Sequence, residues 1–186
     1  MGRKILLSSG HILEIAALNS LMLQQYSNFQ GHGYLSQSQL NFVVEEMGWN
    51  DTKNKNAIRI VVMHHHYLPT CYTERIDATY ASSAVYDADR LMNWLVQCNV
   101  KLLLHGHKHK AFISQINYPQ SSQTDITTEC MRNIVVAGMG GTGAKGVQNK
   151  FATIQFIDNK VVISFHNIYS DESERDCLAQ KIELPL

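Results

Sequence analysis

Six of the chain's nine histidines fall in two short runs, His64-His65-His66 and His105-Gly106-His107-Lys108-His109. Each run follows an apolar stretch, Ile58-Arg59-Ile60-Val61-Val62-Met63 in one case and Val100-Lys101-Leu102-Leu103-Leu104 in the other. Imidazole is a ligand for zinc, manganese, iron and similar ions. Histidines clustered at the ends of apolar runs point to a shared polar or metal site. In an extended segment the side chains of His107 and His109 point the same way. Gly106 lets the backbone bend tightly just before them. Acid–base work by histidine alone is the rival chemistry, with Asp77, Asp87 and Ser83 as available partners. No G-x-S-x-G nucleophile pattern occurs in the chain. The scattered histidines, His11, His32 and His166, read as ordinary surface or packing groups.

Two strands must carry the clusters to one place. Residues 58–63 and 100–104 lack polar alternation, and the first is rich in β-branched side chains, which suits strands buried on both faces. Between them, residues 87–99 place Leu91, Met92, Leu95 and Val96 on one stripe of a helix begun by Asp87 or Asp89. A strand–helix–strand unit makes its strands parallel, so both tips emerge at one sheet edge. Ligands of open α/β sheets collect at that edge. A second helix precedes the unit. Ser36 and Gln39 have capping-box spacing, Leu40, Val43, Val44 and Met47 share a face, and Gly48 suits a left-handed cap. Residues 4–7 and 12–19 read as an opening hairpin, and 111–116, 133–138, 151–157 and 161–168 as further strands, the last two joined at Asp158-Asn159. The order predicts an α/β layered protein with antiparallel strands at its end. The stretch 137–146, Ala-Gly-Met-Gly-Gly-Thr-Gly-Ala-Lys-Gly, lacks the ending of a phosphate loop and reads as a turn between strands.

Bulk properties narrow the function classes. The chain has 186 residues, 45% hydrophobic and 17% charged, which is globular rather than disordered. Sixteen basic residues balance sixteen acidic ones, so net charge gives no support to a nucleic-acid or acidic-membrane partner. Cys71, Cys98, Cys130 and Cys177 form no C-x-x-C pair, which argues against a cysteine zinc knuckle. No secretory leader pattern and no apolar run of membrane-spanning length are found, so a cytoplasmic location with reduced thiols is the expectation. Tyr67, Tyr72, Tyr80 and Tyr86 could stack on a base. Packing is the favoured reading for them.

The run Val61-Val62-Met63-His64-His65-His66-Tyr67-Leu68-Pro69, a helix, then Val100 to Phe112 with its G-H-x-H motif, resembles the C-terminal half of the calcineurin-like metallophosphoesterase superfamily. The likeness is closest to the cyclic-nucleotide phosphodiesterase-like branch. Gly33-Tyr34-Leu35 with the following Gln39-Leu40, the strand Ile12–Ser20 and the stretch 134–143 resemble further parts of that branch, so the likeness covers nearly the whole chain. It implies half of a four-layer α/β/β/α sandwich, with a mixed sheet and antiparallel C-terminal strands, in one domain over residues 1–186. It implies a metal-dependent phosphoesterase in which metal-activated water attacks a phosphodiester. His64, His107 and His109 match the metal ligands. His65 and His66 would contact the ligands or the substrate, and His105 need not bind metal.

The D-x-H, G-D-x-x-D and G-N-H-[DE] motifs that complete such sites do not occur. Three neutral imidazoles offer no negative charge to hold two dications together, so at most one ion, manganese, iron or zinc, is expected here. Strand 58–63 is expected to present an uncovered apolar face, favouring a homo-oligomer or a partner chain. Three readings follow: a phosphodiesterase incomplete in this chain, an inactive metal- or phosphate-binding scaffold that pairs with another chain, and a single-metal hydrolase.

Overall fold

In the computed structural model, the described residues are 2–22, 31–50, 56–67, 84–107, 111–119, 131–141, 149–157, 160–168 and 177–185. Nine strands and two helices occur among them, in the order β1 (Gly2–Leu6), β2 (Ile12–Ala17), α1 (Gln37–Met47), β3 (Ala57–Met63), α2 (Ala88–Gln97), β4 (Val100–His105), β5 (Ala111–Pro119), β6 (Met131–Met139), β7 (Lys150–Ile157), β8 (Lys160–Asn167) and β9 (Cys177–Pro185).

A mixed sheet of six strands runs β1-β2-β3-β4-β6-β5. The inner strands β2, β3, β4 and β6 are parallel, and an antiparallel strand closes each edge. The strands β7, β8 and β9 make a second, antiparallel sheet. Period-two alternation sends the side chains of β3 to opposite faces. Val61 and Met63 join Leu40, Val43 and Met47 of α1 and Leu91, Met92 and Leu95 of α2 in one core. Ile58 and Ile60 join Leu102, Val135, Val161, Ile163 and Phe165 in another. The result is three layers: helices, the six-stranded sheet and the three-stranded sheet.

This arrangement corrects one expectation. Strand β3 is buried along its length apart from a half-buried Val62, because the β7–β9 sheet covers the face that was expected to be open. Exposed apolar side chains lie instead on edge strand β1, where Ile5 is 46% and Leu6 74% exposed.

The helix ends follow local chemistry. Ser36 Oγ accepts the N–H of Gln39, and Gly48 closes α1 at φ 65°. The Gln39 side chain does not complete the box with Ser36. Its Oε1 accepts the N–H of Asn19 at 2.6 Å, and its Nε2 donates to Asn19 O at 3.1 Å, tying α1 to the segment after β2. Asp87 makes no side-chain cap on α2. It pairs with Arg90 at 2.9 Å instead. Among the described residues no helix is long and apolar enough to cross a membrane.

Candidate metal centre

Strands β3 and β4 are hydrogen-bonded neighbours, with Met63 opposite His105 in register. The backbone therefore delivers His64 and His107 to one sheet edge. Gly106 N donates to His64 O at 3.1 Å, joining the two strand tips. His107 Nδ1 lies 2.7 Å from His64 Nε2. One ring nitrogen from each of His64, His65 and His107 falls within 4.8 Å of the others. Their ring centroids are 4.7 to 4.9 Å apart.

Gly106 is not the residue that makes the bend. It does not have a positive φ, and a Cβ there would meet only His64 O, at 3.9 Å. The left-handed residue is His107 itself, at φ 72°. A non-glycine residue in that region is strained, and such strain concentrates at functional sites. His109, with Lys108, lies outside the described residues, as do Asp77 and Ser83 of the rival acid–base reading.

His65 and His66 are both buried. His65 belongs to the convergent group. His66 stands farther back, its ring 6.4 Å from that of His107, and its backbone bridges Ala84. His105 turns inward against Phe112, with ring centroids 5.1 Å apart. Burial lowers the His105 pKa to about 4, partly offset by its hydrogen bond to Gly106 O and reinforced by His66. Burial, then the neighbouring His107, His64, His66 and His32, lower His65 to about 3. Both rings are thus neutral at physiological pH.

Two contacts that sequence reading missed hold His65. Ser20 Oγ lies 2.9 Å from His65 Nδ1 and accepts the His65 backbone N–H at 3.2 Å. A Cβ at Gly33 would lie 2.6 Å from His65 Cβ, so the Gly33 backbone presses directly on that side chain. The Gly-x-Leu pattern at 33–35 was visible in the sequence, but the reason for its glycine was not. Among the scattered histidines, His11 meets Ser9, His32 packs edge-on to Tyr86 and His166 stacks on Phe151. Tyr67 is buried in the helix-side core, and Tyr86 is exposed. Tyr72 and Tyr80 are outside the described residues.

The donor set fits a single divalent cation. Tetrahedral zinc places imidazole nitrogens about 3.4 Å apart, and the three nitrogens here lie within 4.8 Å of one another. No carboxylate belongs to this group among the described residues, so nothing in it would offset the repulsion between two dications.

Comparison with known proteins shows the family. Residues 2–111 match the family model for calcineurin-like phosphoesterases. The chain is similar to the 3′,5′-cyclic adenosine monophosphate phosphodiesterase CpdA of Haemophilus influenzae, at 33% identity over 124 residues. That match takes in 63% of this chain and 40% of the relative, so the chain spans well under half of the relative's length. Among solved structures, Vps29 of Chaetomium thermophilum aligns over 96% of this chain and 98% of its own, at 9% identity and TM-score 0.34. A single mutant of Vps29 from Entamoeba histolytica aligns over 91% and 98%, at 10% identity and TM-score 0.33. The family match covers more than half of the chain and includes both strand tips, and on that ground the chain belongs to the calcineurin-like phosphoesterase family.

Proposed function

We propose that this chain forms part of a metal-dependent phosphodiesterase, with His64, His107 and His109 as ligands of one divalent cation, manganese, iron or zinc. The observation that carries the reading is the meeting of His64 Nε2 and His107 Nδ1 at 2.7 Å on the tips of adjacent parallel strands. When bound, the cation would activate water for attack on a phosphodiester and neutralise charge on the phosphoryl oxygens. The chain's own residues orient that chemistry. The β3 and β4 tips fix two imidazoles, and the buried His65 and His66 line the same corner. The relative named for cyclic adenosine monophosphate favours a cyclic-nucleotide or similar small phosphodiester as substrate. In this reading residues 1–186 are one domain, and the carboxylate ligands that support a second ion come from outside the described group.

The test is metal analysis of the purified chain, followed by hydrolysis of bis-p-nitrophenyl phosphate with added manganese. The expected result is about one ion per chain and slow turnover, both lost in His107→Ala. A chain that binds no manganese, iron or zinc with its histidines intact overturns the reading.

The absence of a carboxylate from the donor group among the described residues favours a second reading, an inactive metal- or phosphate-binding scaffold. The apolar side chains of edge strand β1 offer a surface for a pairing chain. Metal binding without any turnover, even with other metals supplied, selects this reading over the first.

A further inference from the structure

A single exposed aromatic ring is ordinary on a folded protein. Tyr86 differs because of where its backbone is tied. Residues 84–86 run as an extended segment between two others, bridged to Gly33 on one side and to His66 on the other. Tyr86 N donates to Gly33 O at 2.7 Å, Gly33 N donates to Ala84 O at 3.1 Å, and Val85 N donates to His66 O at 2.9 Å. Gly33 is also the residue whose backbone presses on His65. One short bridge therefore packs the metal corner and carries His32 and Tyr86 at its rim. After burial and the nearer imidazoles, His32 also lowers the His65 pKa, which agrees with that placement. Arg90 fixes both sides of the bridge from α2. It donates to Leu35 O at 2.5 Å, pairs with Asp87 at 2.9 Å, and lies over the Tyr34 ring, 5.6 Å from its centroid. Tyr86 is 63% exposed, with His32 set edge-on beside it at 5.8 Å between centroids. The backbone is held while the ring stays open.

We infer that the Tyr86 ring, with His32 beside it, is a stacking platform for a flat aromatic group on one ester arm of the phosphodiester, a nucleobase being the class that fits. Tyr86 is then a specificity-determining residue: it selects phosphodiesters that carry an aromatic arm over those with alkyl arms alone. Stacking needs a π face and no hydrogen-bond pattern, so it tolerates different bases. The fixed backbone has already met part of the ordering cost that a mobile tyrosine would pay on binding. The inference rests on the metal reading above, in which the ester phosphate sits at the His64–His107 pair.

The experiment first measures zinc uptake by the chain, then titrates the zinc-loaded chain with adenosine 5′-monophosphate and with ribose 5-phosphate. The two probes share phosphate and sugar and differ in the base. The nucleotide should bind about tenfold tighter, and the adenine ring current should move the Tyr86 ring protons upfield. Because the ring is mostly exposed, Tyr86→Ala should fold and take up zinc as the wild type does. It should bring the two affinities to within about twofold of each other and leave that for ribose 5-phosphate unchanged. Tyr86→Phe keeps the ring and should keep the preference. Tyr86→Leu keeps only apolar bulk and should lose it. Equal affinity of the wild type for the two probes, unmoved Tyr86 resonances at saturation, a preference that survives in Tyr86→Ala, or no binding of either probe to the zinc-loaded chain each overturn the inference. A chain that takes up no zinc overturns the metal reading, and this inference falls with it.

Discussion

A methyl group at Gly33 would stand 2.6 Å from His65 Cβ and 2.8 Å from its Cγ, closer than real side chains approach. Gly33→Ala should therefore displace the ring and destabilise the chain by about 1–3 kcal/mol, the usual cost of overpacking. Urea denaturation and the His65 ring resonances would register both effects. Unchanged His65 resonances would refute the contact. Cys98 gives a pH prediction. Burial pushes its thiol up to about 11, against a smaller lowering by Arg59. In the unfolded chain the thiol ionises near its ordinary value of 9.0, so above that pH the unfolded state releases a proton that the folded state keeps. Stability is unaffected below this range and falls as pH rises from about 9 to 11, by at most about 3 kcal/mol. Cys98→Ala should flatten that slope in denaturation curves taken across the same range. The pairing of His64 with His107 was legible because histidines at the tips of two parallel, neighbouring strands must come together at one sheet edge. Ser20 and Gly33 were not. Each is an unremarkable small residue in sequence, and Ser20 meets His65 across 45 positions of chain.

At the scale of elements, Arg59 ties the helix layer to the sheet. It sits in β3, buried, with Nε 3.1 Å from Glu14 Oε2 on the neighbouring strand. Its Nη1 donates to both Trp49 O and Cys98 O, just past the ends of α1 and α2. A cation there complements the negative ends of both helix dipoles. Lys4 completes the group, 2.9 Å from Glu14 Oε1 and 2.8 Å from Met47 O. Among the described residues, Arg59→Met would leave the buried Glu14 carboxylate with Lys4 as its remaining ion-pair partner, and it should cost about 3–5 kcal/mol in urea denaturation. A loss below about 1 kcal/mol would show that the group is dispensable. Ser36→Ala should cost about 1 kcal/mol by removing the α1 cap. Helix placement was legible because apolar spacing, cap residues and Gly48 agree on where α1 begins and ends. The Arg59 group was hidden, since a charged residue within an apolar run says nothing about which distant carbonyls receive it.

For the whole molecule, the layer order follows from the parity of β3, but the second sheet was only partly visible. Strands β7 and β8 announce themselves with Phe, Ile and Val. Strand β9 alternates weakly and is mostly exposed, with Leu184 packed against the inner core, so composition alone gave no boundary for it. Phe165 is buried between the two sheets. Phe165→Ala should cost about 3–5 kcal/mol. Intact imidazole shifts in the surviving folded fraction would show that the second sheet supports the site without shaping it. Changed shifts would show that it shapes the geometry as well.

The hydrogen bond from Gly106 N to His64 O has a thermodynamic corollary. Because the two strand tips are stitched together at the centre of the sheet, they cannot part without unzipping the middle of the protein. Capture of an ion by imidazoles at those tips would then be linked to global unfolding, and melting temperature should climb with the logarithm of free metal concentration. Amide protons along β3 and β4, far behind the imidazoles, should slow their exchange together with those at the tips.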